Sequence, residues 1–253
     1  MPINFVRRLT GRKRTIRTNR QLGFALAFVA GATNAGGFLA VQQYTSHMTG
    51  IVSSMADNIA LGAYELVLGG AGGLLSFLAG AATSAVMVNY SRRRHTHSEY
   101  AYPLLLEAFL LLCFGVMGAW LSGIRGLFVP ATVMLLCFIM GLQNAVITKL
   151  SHAEIRTTHI TGIVTDIGIE LGKLVYWNTT DAAVRPHVMA NRQRLTVLFL
   201  LALSFFLGGI AGALGFKHVG YLSTLPLALA LITLAVVPAM DDVSFLIHRW
   251  HRK

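Results

Sequence analysis

Apolar runs of about 20 residues recur along the chain, separated by short polar stretches. A run of that length crosses a bilayer core of about 30 Å as an α-helix. The pattern predicts spans at about 21–41, 73–90, 101–121, 128–147, 195–215 and 221–239, with a Gly-rich turn at 69–73. Two further helical segments, ending near Leu61-Gly62 and Leu171-Gly172, mix polar and apolar residues.

The polar letters between the runs repeat. Thr45-Ser46-His47-Met48-Thr49-Gly50-Ile51-Val52-Ser53 returns as Thr157-Thr158-His159-Ile160-Thr161-Gly162-Ile163-Val164-Thr165. Gly31-Ala32-Thr33-Asn34-Ala35 matches Gly141-Leu142-Gln143-Asn144-Ala145, and Ser76-Phe77-Leu78-Ala79-Gly80 matches Ser204-Phe205-Phe206-Leu207-Gly208. The order is the same in both halves. The chain therefore divides into a basic tail (1–20), one membrane domain (21–240) and a second basic tail (241–253). Within the membrane domain, repeat 1 covers about 21–121 and repeat 2 about 128–239.

Charge decides how the halves are related. Between the two tails, if the signature helices cross, Arg92, Arg93, Arg94, Lys149, Arg156 and Lys217 lie outside, and only Arg125, Arg185, Arg192 and Arg194 lie inside. That opposes the excess of Lys and Arg found in cytoplasmic loops. If they dip in and return, only Arg125 and Lys217 lie outside. From Thr49 to Leu61 a helix is only about 20 Å long. The expected fold is an all-α polytopic helical bundle of two inverted three-span repeats, each with a re-entrant half-helix, and with both termini cytoplasmic.

Composition fits a membrane protein: 55% of residues are hydrophobic and 12% charged, against roughly 25% charged in soluble domains. The net charge of +11 sits in tails and short loops. It reads as an anchor on the cytoplasmic side, with the lipid bilayer as partner and no nucleic acid. Cys113 and Cys137 lie inside apolar runs and form no metal or disulfide pattern. No removable signal peptide is evident, and no motif of an enzyme active site stands in the right context. No cofactor and no metal is expected.

The candidate chemistry lies at the signature turns. Ser46 or Thr158 can cap a helix start, and such a start presents free N–H groups. Two of them meeting near the midplane would favour an anionic or polar group. His159, Gly162, Asp166, Glu170 and Lys173 share one helix face, as do His47, Gly50, Ser54 and Asn58. Ionisable groups at membrane depth face a cavity or a partner. Against a permeation path stands a plain polar seam, with Glu170 paired to Lys173. Glu107 stands alone in an apolar span.

Phe28-Val29-Ala30-Gly31 through Gly37-Phe38, then Met48-Thr49-Gly50, the Ile160-Thr161-Gly162 echo and Ala190-Asn191-Arg192 make a familiar pattern. It resembles the YoaK-like family of bacterial membrane proteins over roughly residues 20–240. The resemblance implies a polytopic inner-membrane protein whose activity is uncharacterised, and it brings no catalytic residues. In that family an acidic residue often occupies the position of Asn34, so any carboxylate role there is missing.

The expectation is a secondary transporter or channel for a small polar or anionic solute in the bacterial inner membrane. Thr49, Gly50, Thr161 and Gly162 would form its central site, lined by Asn34, Asn144, His47, His159 and Asp166. The alternative is a non-transporting scaffold or accessory subunit, with a membrane-embedded enzyme behind it. Small-residue faces would allow a homodimer.

Overall fold

A computed structural model describes residues 15–94, 99–121, 125–150, 159–177 and 187–250. The described residues form eight α-helices: α1 (Ile16–Val41), α2 (Met48–Ala60), α3 (Tyr64–Arg94), α4 (Ala101–Leu121), α5 (Arg125–Leu150), α6 (Ile160–Val175), α7 (Arg192–His218) and α8 (Thr224–Trp250). A 3₁₀ turn, Gly220–Ser223, joins the last two. Six segments are long and apolar enough to cross a membrane, and they lie on α1, α3, α4, α5, α7 and α8. The short helices α2, 13 residues, and α6, 16 residues, are about 20 and 24 Å long.

The helices outrun the apolar runs that signal them. α3 begins at Tyr64, so the expected turn at 69–73 is helix. Its glycines serve packing instead: a Cβ on Gly70 would lie 2.6 Å from Met55 Cγ, and one on Gly73 would lie 3.4 Å from Cys137 Sγ. Gly62 does end α2. It takes φ +73°, its N–H donates to Ile59 O, and that of Ala63 donates to Asn58 O, which satisfies carbonyls left open by the helix end. Gly172, expected to do the same, lies inside α6, which runs on to Val175. The second basic tail is helical as far as Trp250.

Two crossings bring helix backbones into contact. A Cβ on Gly31 would fall on the carbonyl oxygen of Phe205, and one on Gly208 would fall on that of Phe28. This joins α1 to α7. A Cβ on Gly80 would fall on the carbonyl oxygen of Phe138, and one on Gly141 on that of Phe77. This joins α3 to α5. Under the repeat, Gly31 corresponds to Gly141 and Gly208 to Gly80, so the second crossing is the first with the halves exchanged. Small residues are what allow such approach where lipid offers no hydrophobic drive between helices.

The remaining packing follows the same exchange. α4 lies on α8, α2 on α3, and α6 on α7. α1 and α5 touch directly and run antiparallel: Gln143 Nε2 donates to Leu26 O at 3.2 Å, while Gly37 faces Leu136. Residues 31–37 and 141–147 have the same sequence of buried and half-buried positions. The core they enclose contains Leu22, Leu26, Leu136, Ile139, Met140 and Leu142. Exposed Val86, Phe109, Val116, Phe206 and Leu229 supply the apolar outer surface that lipid requires.

At one end of the bundle, Arg92 Nη2 donates to Tyr100 OH at 2.7 Å, Tyr100 OH donates to Lys149 O at 3.2 Å, and Lys149 Nζ donates to Asn89 Oδ1 at 2.8 Å. That ties α3, α4 and α5 together.

Gly80→Ala should cost about 1–3 kcal/mol, because a methyl group pressed on a backbone carbonyl cannot be relieved by a rotamer change. Gly168→Ala is the control, since a Cβ there meets nothing within 4 Å. Thermal unfolding in detergent should show a clear fall in Tm for the first and none for the second.

Candidate functional site: a cavity beside the first signature helix

The two signature turns have nearly the same backbone. His47 is the residue before α2, with φ −98° and ψ 72°. His159 is the residue before α6, with φ −86° and ψ 57°. Neither side chain caps its helix by a hydrogen bond. The expected cap at Ser46 is therefore corrected. Ser46 Oγ instead donates to Asn34 Oδ1 at 2.9 Å and pins the turn to α1. Thr158 lies outside the described residues.

Each histidine ring folds over the glycine three residues on. A Cβ at Gly50 would lie 2.8 Å from His47 Nδ1, and one at Gly162 would lie 3.3 Å from His159 Nδ1. The His-x-Thr-Gly spacing thus has a steric reason: the glycine leaves room for the ring at the helix start. The helix behind it is held by one buried isoleucine in each half. Ile51 packs with Val133 and Cys137, and Ile163 enters the main core.

From there the halves diverge. His47, Gly50, Ser54 and Asn58 line a cavity of about 790 Å³. Its other walls are the end of α1 (Phe38, with Gln42, Gln43 and Tyr44 beyond it), the start of α3 (Glu65 to Gly72) and the start of α5 (Val129, Pro130, Val133 and Met134). Asn58 Nδ2 donates to Ser54 Oγ at 3.2 Å along the α2 wall.

In the second half, Asp166 and Glu170 occupy the positions of Ser54 and Asn58. Arg194 Nη2 donates to Asp166 Oδ2 at 3.1 Å. Lys173 Nζ donates to Glu170 Oε1 at 2.9 Å, and the backbone N–H of Asn191 donates to Glu170 Oε2 at 2.7 Å. The hydrogen bond from Lys173, that from Asn191, and the nearby charge of Arg194 hold the Glu170 carboxyl below its ordinary value of 4.5. The expected pairing of Glu170 with Lys173 is present.

The candidate residues are only partly brought together. His47 and Gly50 line the cavity. Thr49 is exposed and is not part of that lining, and Asn34 acts behind it through Ser46. His159, Thr161 and Gly162 stand at the start of α6, and Asp166 is drawn into the ion pairs. Among the described residues α2 and α6 form no packed interface with one another. Each short helix packs instead on the long helix that follows it. Asn144 lies on α5, and its backbone carbonyl accepts from Thr148 Oγ1. Glu107 is fully buried in α4, and neither carboxylate oxygen has a hydrogen-bond partner among the described residues. No group of three or more His, Cys, Asp or Glu placed to hold a metal occurs among the described residues.

Sequence reasoning missed Phe38, Gln42, Gln43, Tyr44 and Glu65 as cavity walls. The middle three lie in the polar stretch after α1, which reads equally as an ordinary loop beside a span.

A family model described as "Protein of unknown function (DUF1275)" matches residues 22–237. The chain belongs to this family. It is similar to the UPF0700 transmembrane protein YoaK of Bacillus subtilis (strain 168), 29% identical over 168 residues, which cover 65% of this chain and 72% of the relative. No solved structure matches. Together with six helices able to cross a membrane, these relations identify an integral, multi-pass membrane protein.

The histidine and glycine of the first turn should behave as a coupled pair. Gly50→Ala should lower Tm by displacing the ring, at a cost of about 1–3 kcal/mol. Adding His47→Ala should recover most of the loss, because the obstructed group is gone. A double-mutant cycle by thermal unfolding measures the coupling, and additive losses would contradict the account.

Proposed function

We propose that the protein is a secondary transporter or channel for small polar solutes, built from two inverted three-span repeats. The observation that carries this is the cavity: a helix too short to cross the membrane turns its polar stripe, His47, Gly50, Ser54 and Asn58, into a space of about 790 Å³ among membrane-spanning helices. Polar side chains at that depth are costly unless they serve a partner or a water-filled path.

The antiparallel contact of α1 with α5 supports inversion. These helices correspond under the repeat, and halves related by simple duplication in the same orientation would set them parallel. The exchange of partners at the two glycine crossings supports a pseudo-two-fold axis between them. With α2 and α6 re-entrant, the cavity opens on the face where α1 ends, which is the outer face if the basic tails are cytoplasmic. The corresponding space by α6 then opens to the opposite face. It is occupied by the Asp166–Arg194 and Glu170–Lys173 pairs. The two halves thus differ at the positions that line the cavity in the first. A scaffold requires no cavity at either turn.

The lining favours the polar arm of the expectation over the anionic one. Among the described residues no Lys or Arg lines the cavity, and Glu65 does.

Stopped-flow light scattering of proteoliposomes under gradients of glycerol, urea and choline chloride tests this reading. At least one solute should enter faster than through protein-free vesicles. Ser54→Val with Asn58→Leu should reduce that flux at least about tenfold, equal to about 1.4 kcal/mol of lost interaction, while Thr49→Val leaves it nearly unchanged. Absence of flux for all three solutes, or unchanged flux in the double variant, would reject the reading.

A further inference from the structure

We infer that the cavity beside α2 binds a small monovalent organic ammonium ion. This assigns a solute class to the site proposed above and rests on that reading for its physiological role.

The first argument is the charge of the lining. The chain has 21 Lys and Arg against 10 Asp and Glu, yet among the described residues no Lys or Arg lines the cavity, where His47 is the one basic side chain. Its one carboxylate is Glu65, which is exposed to it. Among the described residues Glu65 has no hydrogen-bond or ion-pair partner in the chain. An anionic solute would meet this carboxylate with no countercharge. A neutral solute would cover it and leave it unpaired, which is costly once water is displaced. A cation satisfies it.

The second argument is independent of charge. Phe38 and Tyr44 both line the cavity and stack with ring centroids 4.6 Å apart and planes 19° from parallel. Tyr44 keeps 49% of its surface exposed. Aromatic faces attract cations, most effectively soft, weakly hydrated ones such as substituted ammonium groups. The remaining polar walls, Gln42, Ser54 and Asn58, offer neutral oxygen acceptors. An inorganic divalent cation is a poorer fit, because it demands several oxygen ligands around it and gains nothing from aromatic rings.

Glu65 also lies in the first turn of α3, where a carboxylate is favoured by the helix end. That accounts for an acid at position 65. It does not account for the lack of Lys and Arg among the described lining residues, nor for an aromatic pair in the same cavity.

Three molecules of nearly the same shape separate the possibilities: choline, its uncharged counterpart 3,3-dimethylbutanol, and the anion 3,3-dimethylbutyrate. Binding is measured by calorimetry on the full chain in lipid nanodiscs. Choline should bind at least about tenfold more tightly than the other two. Glu65→Gln should weaken choline about tenfold, Glu65→Asp should retain most of the affinity, and Tyr44→Leu should weaken it several-fold. Equal affinity for the alcohol, choline affinity unchanged in Glu65→Gln, or no binding of any of the three would overturn the inference. Choline binding without solute flux in proteoliposomes would leave the site standing and overturn transport. Flux of glycerol or urea that choline does not inhibit would do the reverse.

Discussion

The bundle depends on helix backbones touching at glycines. Water cannot drive helices together inside a bilayer, so contact energy has to come from closeness. Gly31 against the Phe205 carbonyl and Gly208 against that of Phe28 let backbone meet backbone at one crossing, and Gly80 with Gly141 do the same at the other. Close Cα–H···O contacts of this kind contribute roughly 0.5–1 kcal/mol each. Their larger effect is geometric. Each crossing joins the first span of one half to the second span of the other, so neither half completes its core alone.

That exchange frees the signature helices. With α1 committed to α7 and α3 to α5, the short helices α2 and α6 are left resting on α3 and α7, each seated by one isoleucine. Their polar faces then point away from the core. In the first half that face borders a cavity. In the second, two carboxylates replace the serine and asparagine, and Arg194 and Lys173 answer them. A shared backbone frame at the two turns thus carries side chains of different character in the two halves. The proposed function rests on that difference.

Much of the frame was legible in the sequence. Apolar run length gave the six spans, and the repeated polar letters located the glycines that turn out to cross. Helix ends were less legible, because Gly69 to Gly73 punctuate a soluble chain but serve as contact surfaces in a membrane helix. The site was half legible. The stripe His47, Gly50, Ser54 and Asn58 followed from helical spacing, and it does line the cavity. Which long helix carries each short one was not legible, because the repeat alone does not reveal it. Ser46 as a cap was a local inference that lost to a tertiary partner, Asn34. Glu65 was not legible as part of the site, since periodicity places it only at a helix end and does not reveal that aromatic rings line the same cavity.

Inversion of the two halves is the central claim, and the sidedness of single cysteines tests it directly. With Cys113 and Cys137 replaced, Leu61→Cys and Trp120→Cys each place one thiol on a strongly exposed helix end, at positions 79% and 85% accessible. An impermeant thiol reagent applied to intact cells should label both, because three spans per half put both ends on the outer face. Protection of both, with labelling of Arg94→Cys instead, would mean that α2 and α6 cross the membrane and the halves run parallel, and the account would fail.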